Sequence, residues 1–330
     1  MATAVRILRE GDVRAALDMA SCIDAVGRAF AAYSTGAAEL PEVIHLDVPE
    51  ASGEVHVKAG HLHGEPFYAV KAASGFSGVA PPAIDGMVVV FDAGDGSPAA
   101  ILLDHGYVTD VRTGAAGGVA ARHLAPDRVE TVAVIGTGLQ ARYQLDALAV
   151  VRPGFSHVRV WGRNFDHATH CVDDLLARPG LPDGCRYAAA PSVEEAVDGA
   201  DVIITCTASH EALLRAAWVR PGAHVTALGS DGPDKQELDV GVLGAADLIV
   251  VDSRTQCARL GELHHALDAE VVHSPDDVTE IGEICAGLRP GRTSSEQLTV
   301  CDLTGVGVQD VAAANVVMER AGDAGELIEL

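Results

Sequence analysis

Lys71 stands in the middle of an apolar run, Tyr68-Ala69-Val70-Lys71-Ala72-Ala73. A cation is too costly to bury alone, so it must meet a carboxylate, either one of the protein's own or one carried by a ligand. Lys58 and Arg112 have similar apolar or small-residue surroundings. Arg112 opens a small-residue stretch that reads as a helix, a place the helix dipole disfavours for a cation unless an anion is held there. Asp231 lies in Gly229-Ser230-Asp231-Gly232-Pro233-Asp234-Lys235, directly after the apolar run Val225-Thr226-Ala227-Leu228. That puts it beyond the carboxyl end of a parallel strand, where ligands of such sheets bind. It reads either as an acid/base or as the cap of an ordinary Asp-Gly-Pro turn.

In mid-chain, the run Thr131-Val132-Ala133-Val134-Ile135 meets Gly136-Thr137-Gly138-Leu139-Gln140-Ala141. In a Gly-x-Gly-x-x-Ala turn the first glycine permits the bend, the second admits a pyrophosphate, and the small third residue lets helix and strand pack closely. The N–H groups of the helix start would hold the phosphate charge, so the turn implies a dinucleotide. About 20 residues further on, an Asp or Glu is expected to bind the ribose 2′-OH of NAD. Here the second strand ends Trp161-Gly162-Arg163-Asn164, without that acid. Gly162 leaves room, and Arg163 with Asn164 could hold a 2′-phosphate. This predicts NADP(H) as the preferred cofactor with NAD(H) possible, against the plainer reading of Arg163 as a solvated loop cation. Thr207 and Leu228, at the ends of later strands, are also expected at the cofactor.

The elements that would position these groups fall into two patterns. Apolar spacing over 12–34 predicts two helices, and short strands follow at 54–59, 67–73, 87–92 and 99–103, which reads as α+β with antiparallel hairpins. Beyond the small-residue helix at 112–121, strands and helices alternate: strands at 158–161, 202–206, 223–228, 248–252 and 298–301, with helices at 166–177 and 192–198. Such alternation predicts a doubly wound parallel sheet of Rossmann type. Helical spacing over 308–321 suggests a return to the first domain. The expected fold class is therefore α/β, a Rossmann-type sheet at 119–305 plus a discontinuous α+β substrate-binding and dimerisation domain at 1–118 and 306–330.

Composition narrows the partners. At 330 residues and 48% hydrophobic content the chain can bury a sizeable core. With 47 acidic against 23 basic residues, a net charge of -24 repels nucleic acid and anionic membranes, so neither is expected. Seven scattered cysteines without a Cys-x-x-Cys pair suit reduced thiols and a cytoplasmic location. The first residues carry Arg6, Arg9 and Glu10 and read as no leader, and no stretch is apolar enough to span a bilayer. His56, His61 and His63 cluster but match no zinc spacing, so no metal is expected.

These segments together resemble the ornithine cyclodeaminase and mu-crystallin family, which includes alanine dehydrogenases and ketimine or imino-acid reductases. The resemblance runs along the chain through Lys71, Thr109-Asp110-Val111-Arg112-Thr113-Gly114, the Gly136 turn, the segment from Gly229 to Leu238, and Asp302-Leu303-Thr304-Gly305 to Asp310. It implies that Lys71 and Arg112 hold an α-carboxylate, that Thr113, Gly138, Leu139 and Gln140 contact the cofactor, that Asp231 is the acid/base, and that Lys235 supports the nucleotide side. It also implies a homodimer built by the sheet of the substrate domain. Two departures bear on the substrate: Glu42-Val43 follow Pro41 where cyclodeaminases have an Arg, and His56 aligns with their Glu for the distal amine.

The leading expectation is an NAD(P)H-dependent reductase of a small α-imino, α-keto or α-amino acid. Asp231 and Lys71 are its catalytic residues, and Lys58, Lys71, Arg112 and His56 its substrate contacts. The cofactor contacts are Arg112, Thr113, Gly136, Gly138, Leu139, Gln140, Gly162, Arg163, Asn164, Thr207, Leu228 and Lys235. The alternatives are an ornithine or lysine cyclodeaminase using NAD, and a catalytically silent ligand-binding protein of crystallin type.

Overall fold

The computed structural model describes residues 4–76, 78 and 83–329. The chain divides into two compact units, Met1–Thr113 with Val306–Leu330, and Gly114–Gly305. In chain order the first unit begins with β1 (Ala4–Arg9), α1 (Glu10–Ala16), α2 (Met19–Ser34), β2 (Ala38–Glu39), β3 (Ile44–Val48), β4 (Gly53–Leu62), β5 (Phe67–Phe76), β6 (Ala83–Asp92) and β7 (Pro98–Leu103). The helix α3 (Tyr107–Leu124) follows. Then come β8 (Thr131–Ile135), α4 (Leu139–Val151), β9 (His157–Trp161), α5 (Phe165–Leu176), β10 (Arg186–Ala189), α6 (Val193–Val197), β11 (Val202–Thr205) and β12 (His224–Ala227). The second unit closes with α7 (Val240–Gly244), β13 (Leu248–Val251), α8 (Arg254–Cys257), α9 (Gly261–Asp268), β14 (Thr279–Glu280), α10 (Ile281–Cys285) and β15 (Thr299–Asp302). Finally α11 (Gly307–Arg320) and β16 (Glu326–Glu329) complete the first unit.

The sheet of the first unit runs β16-β1-β7-β6-β5-β4-β2, with β3 also on β4. Its pairs are antiparallel except β1 with β7. Alternate residues point to opposite faces. One face buries Leu8, Val88, Val90, Ala100 and Leu102 under the helices. Asp18 starts α2 by accepting the Ser21 N–H at 2.8 Å, and Ile23, Val26 and Phe30 on that helix are buried. The helix α11 is apolar nearly all round, the pattern of a helix enclosed on every side. It packs on α2, β4 and β5, so closely that a Cβ on Gly307 would lie 2.4 Å from the Ala59 carbonyl oxygen.

The second sheet is parallel throughout, in the order β10-β9-β8-β11-β12-β15-β13-β14. Its first five strands repeat the 3-2-1-4-5 part of the order of doubly wound dinucleotide folds, with the switch point between β8 and β11, and the sixth place is taken by β15, the unit's last strand in the chain. Both faces are covered. Val132 and Val134 join one apolar cluster with Val158, Val160 and Ile204, while Ala133 and Ile135 join another with Ile203, Val225 and Val300. A strand covered on both sides needs an unbroken apolar run, and β8 supplies one.

The α/β class with a doubly wound sheet is as the sequence predicts, but two local readings change. The strands β4, β5 and β6 are longer than predicted, because Gly60, Gly75 and Gly86 lie inside them and do not end them. Arg112 does not begin a helix: α3 starts at Tyr107, where the Asp104 carboxylate accepts the Val108 N–H at 2.7 Å. The dipole argument for an anion at Arg112 therefore falls, and its charge has to be answered by other groups.

Candidate functional site

In the first unit those other groups come from α11. Lys71 on β5 is 2% exposed and donates through Nζ to Asp310 Oδ1 at 2.9 Å. Arg112 Nε lies 3.0 Å from the same oxygen, and its Nη1 donates to Gln309 Oε1 at 3.1 Å. Of the partners open to Lys71 on sequence grounds, the structure shows an internal carboxylate. Lys58 sits directly across from Lys71 in the β4/β5 register and adds positive charge. Burial, reinforced by Arg112, pushes the Lys71 ammonium down to about 7 against the opposing pull of Asp310. Burial pushes the Asp310 carboxyl up, but Arg112, Lys71 and Lys58 outweigh it and hold it below the ordinary carboxylate range. Asp104, also buried, has its carboxyl pushed up by desolvation.

His56 lies in the next row on the same strand face as Lys58, edge-on to His45 with ring centroids 4.6 Å apart and 3.7 Å from Glu54. Thr113 donates its hydroxyl to the Thr109 carbonyl at 2.7 Å. Among the described residues no group of His, Cys, Asp and Glu side chains has the arrangement of a metal site.

In the second unit, the glycine turn joins β8 to α4. Gly136 has φ 135°, and a Cβ there would lie 2.7 Å from both the carbonyl oxygen and the Sγ of Cys206, at the end of β11. Gly138 is the N-cap of α4, so no side chain caps the first N–H groups. A Cβ on Gly138 would meet nothing within 4 Å. The protein itself thus demands glycine at 136, while at 138 it leaves open space beside a helix N-terminus, which is what a pyrophosphate requires. Leu139 is 50% exposed at the helix start, and Gln140 Oε1 accepts from Gln144 Nε2 at 3.4 Å.

Arg142, which sequence reasoning passed over as a helix residue, fixes the turn. Its Nη1 donates to the Thr137 and Gly138 carbonyls, both at 2.9 Å, and its Nη2 to Asp174 at 2.5 Å. At the end of β9, a Cβ on Gly162 would lie 2.5 Å from Thr137 Cγ2, so the room this glycine leaves is filled by the turn itself. Asn164 Oδ1 accepts the Asp166 N–H at 2.8 Å as the cap of α5. Arg163 is exposed.

Glu237 was also missed, because its partners are distant in sequence. Fully buried, its carboxylate accepts from the Thr205 hydroxyl at 2.8 Å, the Thr207 N–H at 2.5 Å, the Thr207 hydroxyl at 2.8 Å and the Gly229 N–H at 2.9 Å. It ties together the loops that follow β11 and β12, and Leu228 packs on the apolar cluster beside it. The main chain at Glu237 and Leu238 in turn donates to Glu262, and that at Glu262 and Leu263 to Asp302. In the same loop Lys235 Nζ donates to Asp231 Oδ1 at 2.6 Å. The Lys235 carbonyl is held by Ser230 Oγ at 2.6 Å and His265 Nε2 at 2.8 Å.

A doubly wound sheet with this turn is the architecture of a dinucleotide-binding protein. The model of the ornithine cyclodeaminase/mu-crystallin family matches residues 4–325, and the chain belongs to that family. It is similar to the alanine dehydrogenase of Archaeoglobus fulgidus, 35% identical over 96% of this chain and 94% of that protein. A solved archaeal alanine dehydrogenase dimer with bound NAD has a TM-score of 0.89 at 34% identity, covering 99% of both chains. The Delta(1)-pyrroline-2-carboxylate reductase of Thermococcus litoralis, solved with NADH and L-proline, has a TM-score of 0.90 at 26% identity, covering 99% of this chain and 100% of that one.

Proposed function

We propose that this protein is an NADP(H)-dependent reductase of a small α-imino acid, with Lys71 and Arg112 binding the α-carboxylate and Asp231 serving as acid/base. Its broader class, an NAD(P)-dependent oxidoreductase acting on CH–NH and CH–NH2 groups, follows from the family. The observation that carries the finer reading is the pair of buried cations Lys71 and Arg112 on one oxygen of Asp310, with half-buried Lys58 across the sheet from Lys71. Two buried cations share a single carboxylate, and a substrate's α-carboxylate is an anion suited to them.

When bound, the nicotinamide supplies the hydride. The protein's residues do the rest: the cation cluster fixes the substrate's orientation, and Asp231, held by Lys235, places a proton on the imine nitrogen. A proton leaving Asp231, whose side chain is 46% exposed, is replaced from solvent. Gly138 and the α4 N-terminus suit the pyrophosphate, and Thr207 and Leu228, in the loops after β11 and β12, are assigned to the cofactor as well. The preference for NADP(H) rests on Arg163 and on the absence of an acid from 161–164. The two solved relatives hold NAD and NADH, so NAD(H) remains a usable cofactor in this reading.

A homodimer belongs to the same proposal. Ile44, Leu46 and Met87 lie on the sheet face opposite the buried residues and are 63%, 57% and 44% exposed. Ile44, Val57, Ala72 and Met87 form one cross-strand row there, an apolar surface suited to a second copy. Among the described residues no helix is long and apolar enough to cross a membrane. The test of function is NADPH oxidation with cyclic α-imino acids such as pyrroline-2-carboxylate, and with pyruvate or glyoxylate plus an amine. Absence of turnover across that panel defeats the proposal.

A further inference from the structure

We propose that Asp310 is the positioning residue of the carboxylate clamp: through one oxygen it holds Lys71 and Arg112 side by side and opposes the loss of the Lys71 proton. The inference rests on the reading that those cations bind the substrate's carboxylate. It assigns Asp310 a part in binding without any contact to the substrate.

The geometry carries it in three ways. First, Asp310 Oδ1 accepts from Lys71 Nζ at 2.9 Å and lies 3.0 Å from Arg112 Nε as a charge contact without hydrogen-bond alignment, while Oδ2 is buried with no hydrogen-bond partner among the described residues. An ion pair kept for stability alone would be expected to satisfy both oxygens, because an unmet buried acceptor is costly. Second, Asp310 lies in the first turn of the 14-residue α11, where the helix dipole favours a carboxylate. Its neighbour Gln309 accepts from Arg112 at 3.1 Å and from the Val306 N–H at 2.8 Å, so adjacent side chains on one helix start aim both cations.

Third, the charges facing Lys71 do not balance without Asp310. Arg112 and Lys58 both repel its proton. The other nearby acid, Asp104, is itself pushed towards its neutral form by burial. Removing the negative charge at 310 while keeping the side-chain shape should therefore let Lys71 lose its proton at neutral pH. A neutral amine donates only weakly to a carboxylate, so the loss appears as weakened substrate binding that depends on pH.

The experiment is calorimetric titration of the NADPH-loaded protein with pyrrole-2-carboxylate, a planar carboxylate that cannot be reduced at an imine, between pH 5.5 and 9. Wild type, Asp310→Asn and Asp310→Glu are compared, with NADPH affinity and far-ultraviolet circular dichroism as controls on folding. In wild type, affinity should decline on the alkaline side as Lys71 loses its proton. In Asp310→Asn that decline should move at least one pH unit lower, leaving affinity about fivefold weaker or more at pH 7 with NADPH binding unchanged. Asp310→Glu keeps the charge and should keep the wild-type position of the decline, even if overall affinity falls. A folded Asp310→Asn with the wild-type profile overturns the proposal. So does an Asp310→Glu profile shifted as far as that of Asn, which is the comparison that decides should Asn not fold. Because the readout is binding, a wild type that titrates normally yet reduces no imine would refute the proposed reaction and leave the role of Asp310 standing.

Discussion

Lys71 Nζ and Asp310 Oδ1 lie 2.9 Å apart across 239 residues of sequence, joining the middle of β5 to the first turn of α11. The contact ties the chain's last helix to the strand that carries the central cation of the site. Both residues are 2% exposed, so each is the other's counterion in a place water does not reach. Removing Asp310 strands two buried cations, whereas removing Lys71 leaves Asp310 with Arg112. Asp310→Asn should cost about 3–5 kcal/mol and Lys71→Met less, while the double variant should cost less than the sum of the single variants. Chemical denaturation of the set measures the coupling, and strictly additive losses would argue against a shared ion pair.

The two glycines of the turn should fail in different ways. At Gly136 the backbone has φ 135° and an added Cβ overlaps Cys206, so Gly136→Ala should destabilise the fold by roughly 2–4 kcal/mol. At Gly138 an added methyl meets only open space, so Gly138→Ala should unfold at the wild-type temperature yet bind NADPH at least tenfold more weakly. Thermal unfolding without cofactor, set beside NADPH titration, separates the two. A Gly138→Ala protein with wild-type affinity would remove the pyrophosphate from that turn.

Most of what positions the site was legible in the sequence because it is local. The apolar run of β8, the glycine spacing and the strand-helix alternation each lie within a few residues and predict the parallel sheet directly. The burial of Lys71 could be inferred from its apolar neighbours. Its partner could not, since an acid at the start of a distant helix carries no signal that it will meet a strand 239 residues away. Glu237 was hidden for the same reason, being recognisable only once the loops after β11 and β12 are seen to converge on it. The misread start of α3 had a different cause: the cap is Asp104, and the intervening His105 and Gly106 adopt left-handed backbone, which conceals the helix start.

Cofactor choice turns on the end of β9. The NADPH over NADH ratio of kcat/KM should exceed one in wild type and fall at least tenfold in Arg163→Ala, as expected for loss of a guanidinium on a phosphate. Asn164 spends its carbonyl oxygen on capping α5, so Asn164→Ala should lower thermal stability as well. A wild type that prefers NADH would sink the assignment.

Stability should depend on pH through the buried acids that brace the Asp231 loop. Burial, with Asp302 next to it, raises Glu262 to about 9, and burial raises Asp302 to about 8. Both carboxyls hold protons more tightly folded than unfolded, so their stabilising effect is complete below the ordinary carboxylate range. It is lost as pH rises towards 8 and 9, because the unfolded chain releases protons that the native state keeps. The slope approaches about 1.4 kcal/mol per pH unit for each proton retained. Unfolding followed from pH 5 to 9 should show stability declining, and Glu262→Gln should flatten that decline. Stability rising across this range in wild type would contradict the assignment.

The exposed sheet face predicts its own disruption. Leu46→Asp with Met87→Asp should convert a dimer to a monomer, read by light scattering coupled to size exclusion, because carboxylates desolvated at such an interface are unpaired. A wild-type monomer at micromolar concentration would refute the proposed dimer.

Imine reduction is best tested by following NADPH absorbance and ammonia together, with pyrroline-2-carboxylate as one substrate and ornithine or lysine as the other. The account predicts stoichiometric NADPH consumption with the imine, no ammonia from the diamino acids, and a loss of at least a hundredfold in kcat for Asp231→Asn with NADPH binding intact. Ammonia release from ornithine or lysine with no net change in cofactor absorbance would contradict it and identify a cyclodeaminase.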